Sequence, residues 1–337
     1  MKIKIIGHDG KVFKQPNSTN PWNVFHQHLL DAGHSIIEEK DQHFDVLIAN
    51  SYSKIQIEFC EKNKIPINNR FLILWEPRQT NPQIYSKQHI SKYGTIFSPS
   101  QGWIHGEKVI HFNWPQGSIS TDKAEYDLWK SRKNKSIMIA SNKYSFIEGE
   151  QYSLRRSVVS AKSAFQVIDV AGHDWDLKLR ILWLKIAKSL WRSKGKNFSI
   201  NSCTNLIPQL RNYIGSVESK NELSSNFRVA LVIENSSDYV SEKLFDALNS
   251  QNIVVYVGPE LTHFGLSDRM AVRVKPKLNC IVSKLKNVLL MSEREQFKLL
   301  TGQQSEYKRI ASEWNNRFVL ENIAKDIAEK IISKSTT

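Results

Sequence analysis

An α/β fold with parallel sheets is what this sequence predicts. Short, β-branched apolar runs alternate with amphipathic stretches, and a clear βαβ pattern stands late in the chain. The length of 337 residues suits two domains better than one. In the first half, strands are expected at residues 2–6, 44–49, 71–74, 94–97 and 108–112, with helices at 22–32 and 54–62 between them. A polar stretch from Asn113 to Lys135, containing Trp114-Pro115-Gln116-Gly117, reads as a linker. The second half continues with a strand at 136–140, a helix at 151–164 and a strand at 166–170. From Glu306 to Ser333 the pattern is helical, and Ile310, Trp314, Phe318, Ile323 and Ile327 form one apolar stripe packed against a domain. The expected division is therefore 1–125, 134–300 and a C-terminal helical segment, 303–335.

The βαβ pattern carries most of the functional information. Runs 229–233 and 253–257 are almost unbroken apolar, as strands buried on both faces of a parallel sheet should be. Between them, Ser236, Ser237 and Asp238 are the N-cap candidates of a helix whose apolar face holds Val240, Leu244, Ala247 and Leu248. Tyr239, Glu242, Lys243 and Asp246 fall on the opposite face. A polar stripe at a helix start, beside the carboxyl end of a strand, is where open α/β sheets bind ligands, and the unpaired N–H groups there favour phosphate. A plain solvated Glu–Lys face would show the same spacing.

Composition narrows the classes. Lys and Arg number 47 against 33 Asp and Glu, giving a formal charge of +14, yet the cations are spread along the chain without a basic arm, a zinc-finger pattern or an aromatic–glycine RNA motif. Nucleic acid is thus disfavoured, while phosphorylated ligands and an anionic membrane surface both suit the charge. Cys60, Cys203 and Cys280 are scattered and indicate neither a disulfide framework nor a zinc site. The chain starts directly on a strand pattern, and no apolar run approaches the length of a membrane span, so a cytoplasmic protein, at most peripheral at the inner membrane face, is expected.

The segment Glu234-Asn235-Ser236-Ser237-Asp238-Tyr239-Val240-Ser241-Glu242-Lys243-Leu244, followed by Gly258-Pro259, closely resembles the signature of the family 10 glycosyltransferases, the α1,3/1,4-fucosyltransferases. Three further elements resemble the family: Ile139-Ala140-Ser141-Asn142-Lys143, Leu154-Arg155-Arg156 ahead of Val167-Ile168-Asp169-Val170-Ala171-Gly172, and Ser219-Lys220-Asn221-Glu222-Leu223. The likeness covers roughly residues 134–262. It departs at Asn252-Ile253-Val254-Val255, where many members read Gly-x-Val-Pro.

The resemblance implies a GT-B architecture: two Rossmann-like domains facing a cleft, with GDP-fucose held mainly by the C-terminal one. It implies an inverting α-fucosyltransferase, of α1,3-linkage, acting on an oligosaccharide or glycoconjugate acceptor with no essential metal or other cofactor. Asn142, Arg155, Lys220, Glu234, Asn235, Tyr239, Glu242 and Lys243 are the implied donor-binding residues. Arg155, chosen over Arg156 by its distance to the following strand, and Lys243 would take the phosphates, and Glu242 the ribose. Fixed cations there stabilise the charge that a leaving GDP gains as its glycosidic bond breaks. Glu76, just beyond the 71–74 strand, resembles the catalytic base of the family's Glu-Ser-Pro element, although Glu76-Pro77-Arg78 lacks the serine. His8 and His111 are second choices for the base. Asp174-Trp175-Asp176 has the spacing of a metal-binding DxD motif, and its position before the donor signature marks it as a decoy. Two alternatives stay open: a transferase using another GDP-sugar, and a catalytically silent nucleotide-sugar or glycan-binding protein.

Overall fold

The computed structural model describes residues 1–6, 21–37, 43–50, 54–100, 108–113, 123–194, 198–313 and 320–335. The chain divides into two compact units, one of Met1–Ser118 with Trp314–Thr337 and the other of Ile119–Glu313. The second unit is therefore inserted, in sequence, within the first.

The first unit is built on strands β1 (Lys2–Ile6), β2 (Ser35–Ile36), β3 (Val46–Ala49), β4 (Arg70–Ile73), β5 (Thr95–Ser98) and β6 (Val109–His111). They form one sheet in the order β2-β1-β3-β4-β5-β6, every pairing parallel. Helices α1 (Pro21–Asp31), α2 (Lys54–Lys62) and the short α3 (Lys87–Ile90) connect them. Because residues alternate between faces, each strand feeds two cores. Ile3, Ile5, Val46, Ile48, Phe71 and Ile73 meet Phe25 and Leu29 of α1 on one side. Leu47, Ala49, Leu72 and Ile96 meet Ile57 and Cys60 of α2 on the other. The five strands expected here are present within a residue or two of their predicted bounds, and the two-residue β2 was too short to signal itself.

The second unit carries β7 (Lys133–Ile139), β8 (Ile168–Ala171), β9 (Tyr213–Gly215), β10 (Phe227–Ile233), β11 (Ile253–Val257) and β12 (Val272–Arg273). Their order is β12-β11-β10-β7-β8-β9, again wholly parallel. Its helices are α4 (Tyr126–Lys130), α5 (Tyr152–Ser160), α6 (Leu179–Ser193), α7 (Lys220–Ser225), α8 (Glu242–Asn249), α9 (Leu278–Leu289) and α10 (Glu293–Glu313). One face of the sheet, with Met138, Ala140, Val229, Leu231 and Ile233, joins Val158 and Val159 of α5 and Ile281 and Leu285 of α9 in a continuous core. Chain order runs from β7 outward to β8 and β9, then returns to β10 on the other side of β7. The topological switch point of this sheet is the β7–β10 seam.

The expected C-terminal stripe is divided. Ile310 is buried on α10, in the second unit, whereas Ile323 and Ile327 belong to α11 (Leu320–Ser335), which packs on α1 in the first. Trp314 and Phe318 lie outside the described residues. Helical periodicity reports that a face is buried and carries no information on which core buries it.

Candidate functional site

The turn into α5 and that helix are stitched to the carboxyl end of β10 by polar groups, several of them buried. Gln151 N–H donates to the Asn235 carbonyl at 3.2 Å, and Ser237 N–H to Gly149 at 3.0 Å. Arg155, on α5 and only 2% exposed, donates its Nε to the Ile233 carbonyl at 3.1 Å. Its Nη2 reaches the same oxygen, and also Asn235 Oδ1 at 3.0 Å. Arg156, also buried, turns the other way and donates to Lys143 and Ser202 carbonyls at 2.9 and 2.8 Å, its guanidinium 4.5 Å from the Tyr144 ring centroid. The two arginines thus fix loops.

Glu234, fully buried at the end of β10, accepts from Ser241 N–H at 3.0 Å and from Ser241 Oγ at 2.5 Å. Burial pushes its carboxyl above the ordinary carboxylate value, against the pull of Lys243 and the Ser241 bonds. The Tyr256 hydroxyl, itself buried, donates to Glu234 at 3.5 Å. Gly258 is required here, because a Cβ at that position would stand 2.3 Å from the Tyr256 hydroxyl and 2.8 Å from Glu234 Cγ.

These contacts correct the expected helix start. Ser241 is the N-cap of α8, accepting from Lys243 N–H at 3.4 Å, and Ser236, Ser237 and Asp238 lie in the preceding loop, where the Ser236 hydroxyl donates to the Asp238 carboxylate. Tyr239 is consequently off the helix and buried. Glu242 and Lys243 occupy the first turn of α8, and Asp246 follows one turn later.

A recess runs along the switch-point seam. Strand residues from Ile137 to Ala140 and from Ala230 to Ile233 line it, with Lys220 and Ser224 of α7, Lys243 and Asp246 of α8, and Ser250 just after α8. Lys243 Nζ is 3.0 Å from Ser241 Oγ and 3.2 Å from Glu242 Oε1. Lys220 Nζ, its side chain 54% exposed, is 3.9 Å from both Glu242 and Asp246. Burial raises the Glu242 carboxyl, but Lys243 and Lys220 outweigh it and hold it down at about 2. Asp246 is pushed up by burial and by Glu242. Two lysines and two carboxylates thus balance, and an arriving phosphate would compete with the carboxylates for both ammonium groups.

Of the donor residues named from sequence, Lys220 and Lys243 line the recess and Glu242 is paired with both. Arg155, Glu234, Asn235 and Tyr239 are buried and do not line it. Asn142 is buried too, donating to the Asp174 carbonyl at 3.1 Å and to the Tyr144 hydroxyl at 3.3 Å. In the first unit, Glu76 follows β4 by three residues, half-buried, its carbonyl accepting the Tyr85 hydroxyl at 2.7 Å. His111 ends the edge strand β6 and is exposed, and His8 lies outside the described residues.

Asp174 pairs with Lys185 at 2.7 Å, and Trp175 turns inward to donate to the Ala140 carbonyl at 2.7 Å. Gly172 allows this approach, since a Cβ there would meet the Ala140 oxygen at 2.2 Å. Among the described residues, no three His, Cys, Asp or Glu side chains gather as a metal would need.

Sequence reasoning missed Ser224, Ala230 and Ser250 of the recess, and also Asn252, where the sequence departs from the family. Asn252 is buried and ties α7 to the start of β11, donating to the Ser224 and Phe227 carbonyls at 2.9 and 2.7 Å and accepting the Ser224 hydroxyl at 2.6 Å. A polar residue opening an otherwise apolar strand was the available signal.

The chain matches no family model and no curated protein. Its likeness is to solved structures. An α1,3-fucosyltransferase with GDP-fucose superposes with a TM-score of 0.52 at 12% identity, over 94% of this chain and 90% of that one. Anabaena HepE in complex with UDP-glucose gives 0.54 at 11% identity, over 99% and 100%. A glycosyltransferase from Rickettsia africae gives 0.52 at 10%, over 98% of each. The fold is the GT-B fold of these glycosyltransferases.

Proposed function

We propose that this chain is a glycosyltransferase that binds a nucleotide-diphosphate sugar at the β7–β10 seam, and specifically an inverting α-fucosyltransferase using GDP-fucose to make an α1,3-linkage on a glycan hydroxyl. The observation that carries the reading is the pair Lys220 and Lys243 over the recess at the switch point, the place where open α/β sheets take nucleotides. The similar solved structures include complexes with GDP-fucose and with UDP-glucose, so likeness of fold supports a nucleotide sugar in general. The resemblance of residues 234–244 to the fucosyltransferase signature favours GDP-fucose.

In this mechanism Lys243 and Lys220 leave their carboxylates to hold the diphosphate, and Glu242 turns to the ribose hydroxyls. Arg155 serves as a positioning residue, holding Ile233 and Asn235 at the end of β10. An acceptor hydroxyl oxygen attacks the anomeric carbon and loses its proton to Glu76, while the bond from that carbon to the β-phosphate oxygen breaks and GDP leaves with the electron pair. The lysines stabilise that growing charge.

Calorimetric titration with GDP-fucose, GDP-mannose, GDP and UDP-glucose, in the presence of a chelator, tests the reading. GDP-fucose should bind best, and Lys243→Ala should weaken GDP itself by roughly tenfold or more. Lys220→Ala should cost less, its side chain being more exposed. Glu76→Gln should abolish transfer and spare donor binding. Absence of guanine-nucleotide binding overturns the donor assignment; full activity of Glu76→Gln overturns the base. Preference for another sugar nucleotide would keep the site and change the donor.

A further inference from the structure

We infer that α6 is an interfacial helix by which the protein docks on an anionic lipid bilayer. Helix α6 buries one narrow stripe, Leu182, Ile186, Ser189 and Ser193, of which Leu182 and Ile186 pack with Phe146. The remainder of its surface is not the charged face that a helix anchored by so thin a stripe ordinarily shows to water. Leu184 is 63% exposed, Trp191 67% and Trp183 52%, and Leu179 and Leu190 are exposed as well.

At about 3.6 residues per turn, Leu179, Trp183, Leu184, Leu190 and Trp191 form one continuous outward arc, interrupted only by Arg180. Lys188 and Arg192 lie next to it, with Lys185 beyond, where it meets Asp174 at 2.7 Å. From Leu177 to Lys194 the sequence holds no Asp or Glu and six Lys or Arg: Lys178, Arg180, Lys185, Lys188, Arg192 and Lys194.

An apolar arc with tryptophan, bordered by cations, matches the depth profile of a bilayer surface: acyl chains inside, indole rings at the headgroup level, anionic phosphates outside. Charge complementarity selects this occupant over a second copy. Mating two α6 faces would bring their lysines and arginines into one seam with no carboxylate on either helix to answer them. No described helix is long and apolar enough to cross a membrane, so the contact is one of lying on the surface. No α6 residue lines the recess, and the inference does not depend on the donor assignment.

The test is co-sedimentation of the full chain with vesicles of phosphatidylcholine alone and of phosphatidylcholine with phosphatidylglycerol, at low and physiological salt. Tryptophan quenching by brominated acyl chains is read in parallel. Binding to the anionic vesicles, with quenching, is expected, and weaker binding to neutral ones. Trp183→Ser with Trp191→Ser should lower the partition coefficient by about tenfold or more. Lys188→Glu with Arg192→Glu, which leaves every apolar contact of the helix in place, should abolish the preference for anionic lipid. Circular dichroism and thermal melting of each variant report whether the chain remains folded. Absence of vesicle binding overturns the inference, as does binding that both double variants retain in full. A tryptophan-dependent dimer in light scattering, without vesicle binding, assigns the face to a second copy instead.

Discussion

The two units carry sheets of the same size and the same all-parallel pairing, yet they differ in how their buried arginines are used. In the first unit the described strands are sandwiched between two apolar cores, and its buried arginine, Arg70, forks onto a single carbonyl, that of Ile65, at 3.1 and 2.6 Å. In the second, two adjoining hydrogen-bonded groups, Arg155 with Asn235 and Glu234 with Ser241 and Tyr256, stand at the end of β10, whose strand also lines a recess edged by lysines. The strand orders differ as well, β2-β1-β3-β4-β5-β6 against β12-β11-β10-β7-β8-β9, and it is the polar residues gathered beside the β7–β10 seam that make it the candidate site.

The comparison breaks most visibly at the arginines. Arg155→Met should destabilise the second unit by about 2–6 kcal/mol, because it strands two acceptors, the Ile233 carbonyl and Asn235 Oδ1, at about 1–3 kcal/mol each. Arg70→Met strands one carbonyl and should cost about 1–3 kcal/mol. Denaturant unfolding of the two variants checks the order, and equal losses would erase the distinction drawn between the two arginines.

Gly258→Ala comes next. The added methyl meets the Tyr256 hydroxyl and Glu234, and a loss of about 1–3 kcal/mol is expected. Adding Tyr256→Phe should restore part of the stability, a recovery that thermal melts of the single and double variants would reveal.

Acidity sharpens the picture further. Glu234 is held above the ordinary 4.5, so between that value and its raised one the folded state binds more protons than the unfolded, and its contribution to stability falls as pH rises. Glu242, held at about 2, acts with the opposite sign: its contribution is present above 4.5 and is lost as pH falls toward 2. Glu234→Gln should flatten the decline that begins above 4.5, and Glu242→Gln the loss below it, in unfolding free energies measured across pH.

The smallest effect is expected at Gln251, whose φ of 55° just after α8 is a left-handed conformation that glycine adopts freely. Gln251→Gly should stabilise the second unit by about 1 kcal/mol in the same unfolding assay.

The central strands were legible in the sequence because burial on both faces writes itself as an unbroken apolar run, and β1 and β11 fall on their predicted bounds. The start of α8 was not. Three capping candidates at 236–238 satisfy local rules, but Ser241 wins because Glu234, seven residues back, orients it. Arg155 was read from sequence as a ligand contact, whereas its burial follows from contacts to residues 78 and 80 positions away. Helix α6 escaped notice because its outward arc is as apolar as its inward stripe, which hides the alternation that reveals a helix. Lys220 and Lys243, named by motif likeness, both line the recess.

Helix α11 supplies Ile323, Ala324, Ile327, Ala328 and Ile331 to the core of the first unit. A ribosome must therefore translate all of the second unit before that core can close. The inserted unit can fold while its host still waits, with the apolar face of β1, β3 and β4 covered only by α1 for the interval. Synthesis rate and chaperone access, rather than equilibrium stability, then govern how much of the first unit reaches its final state.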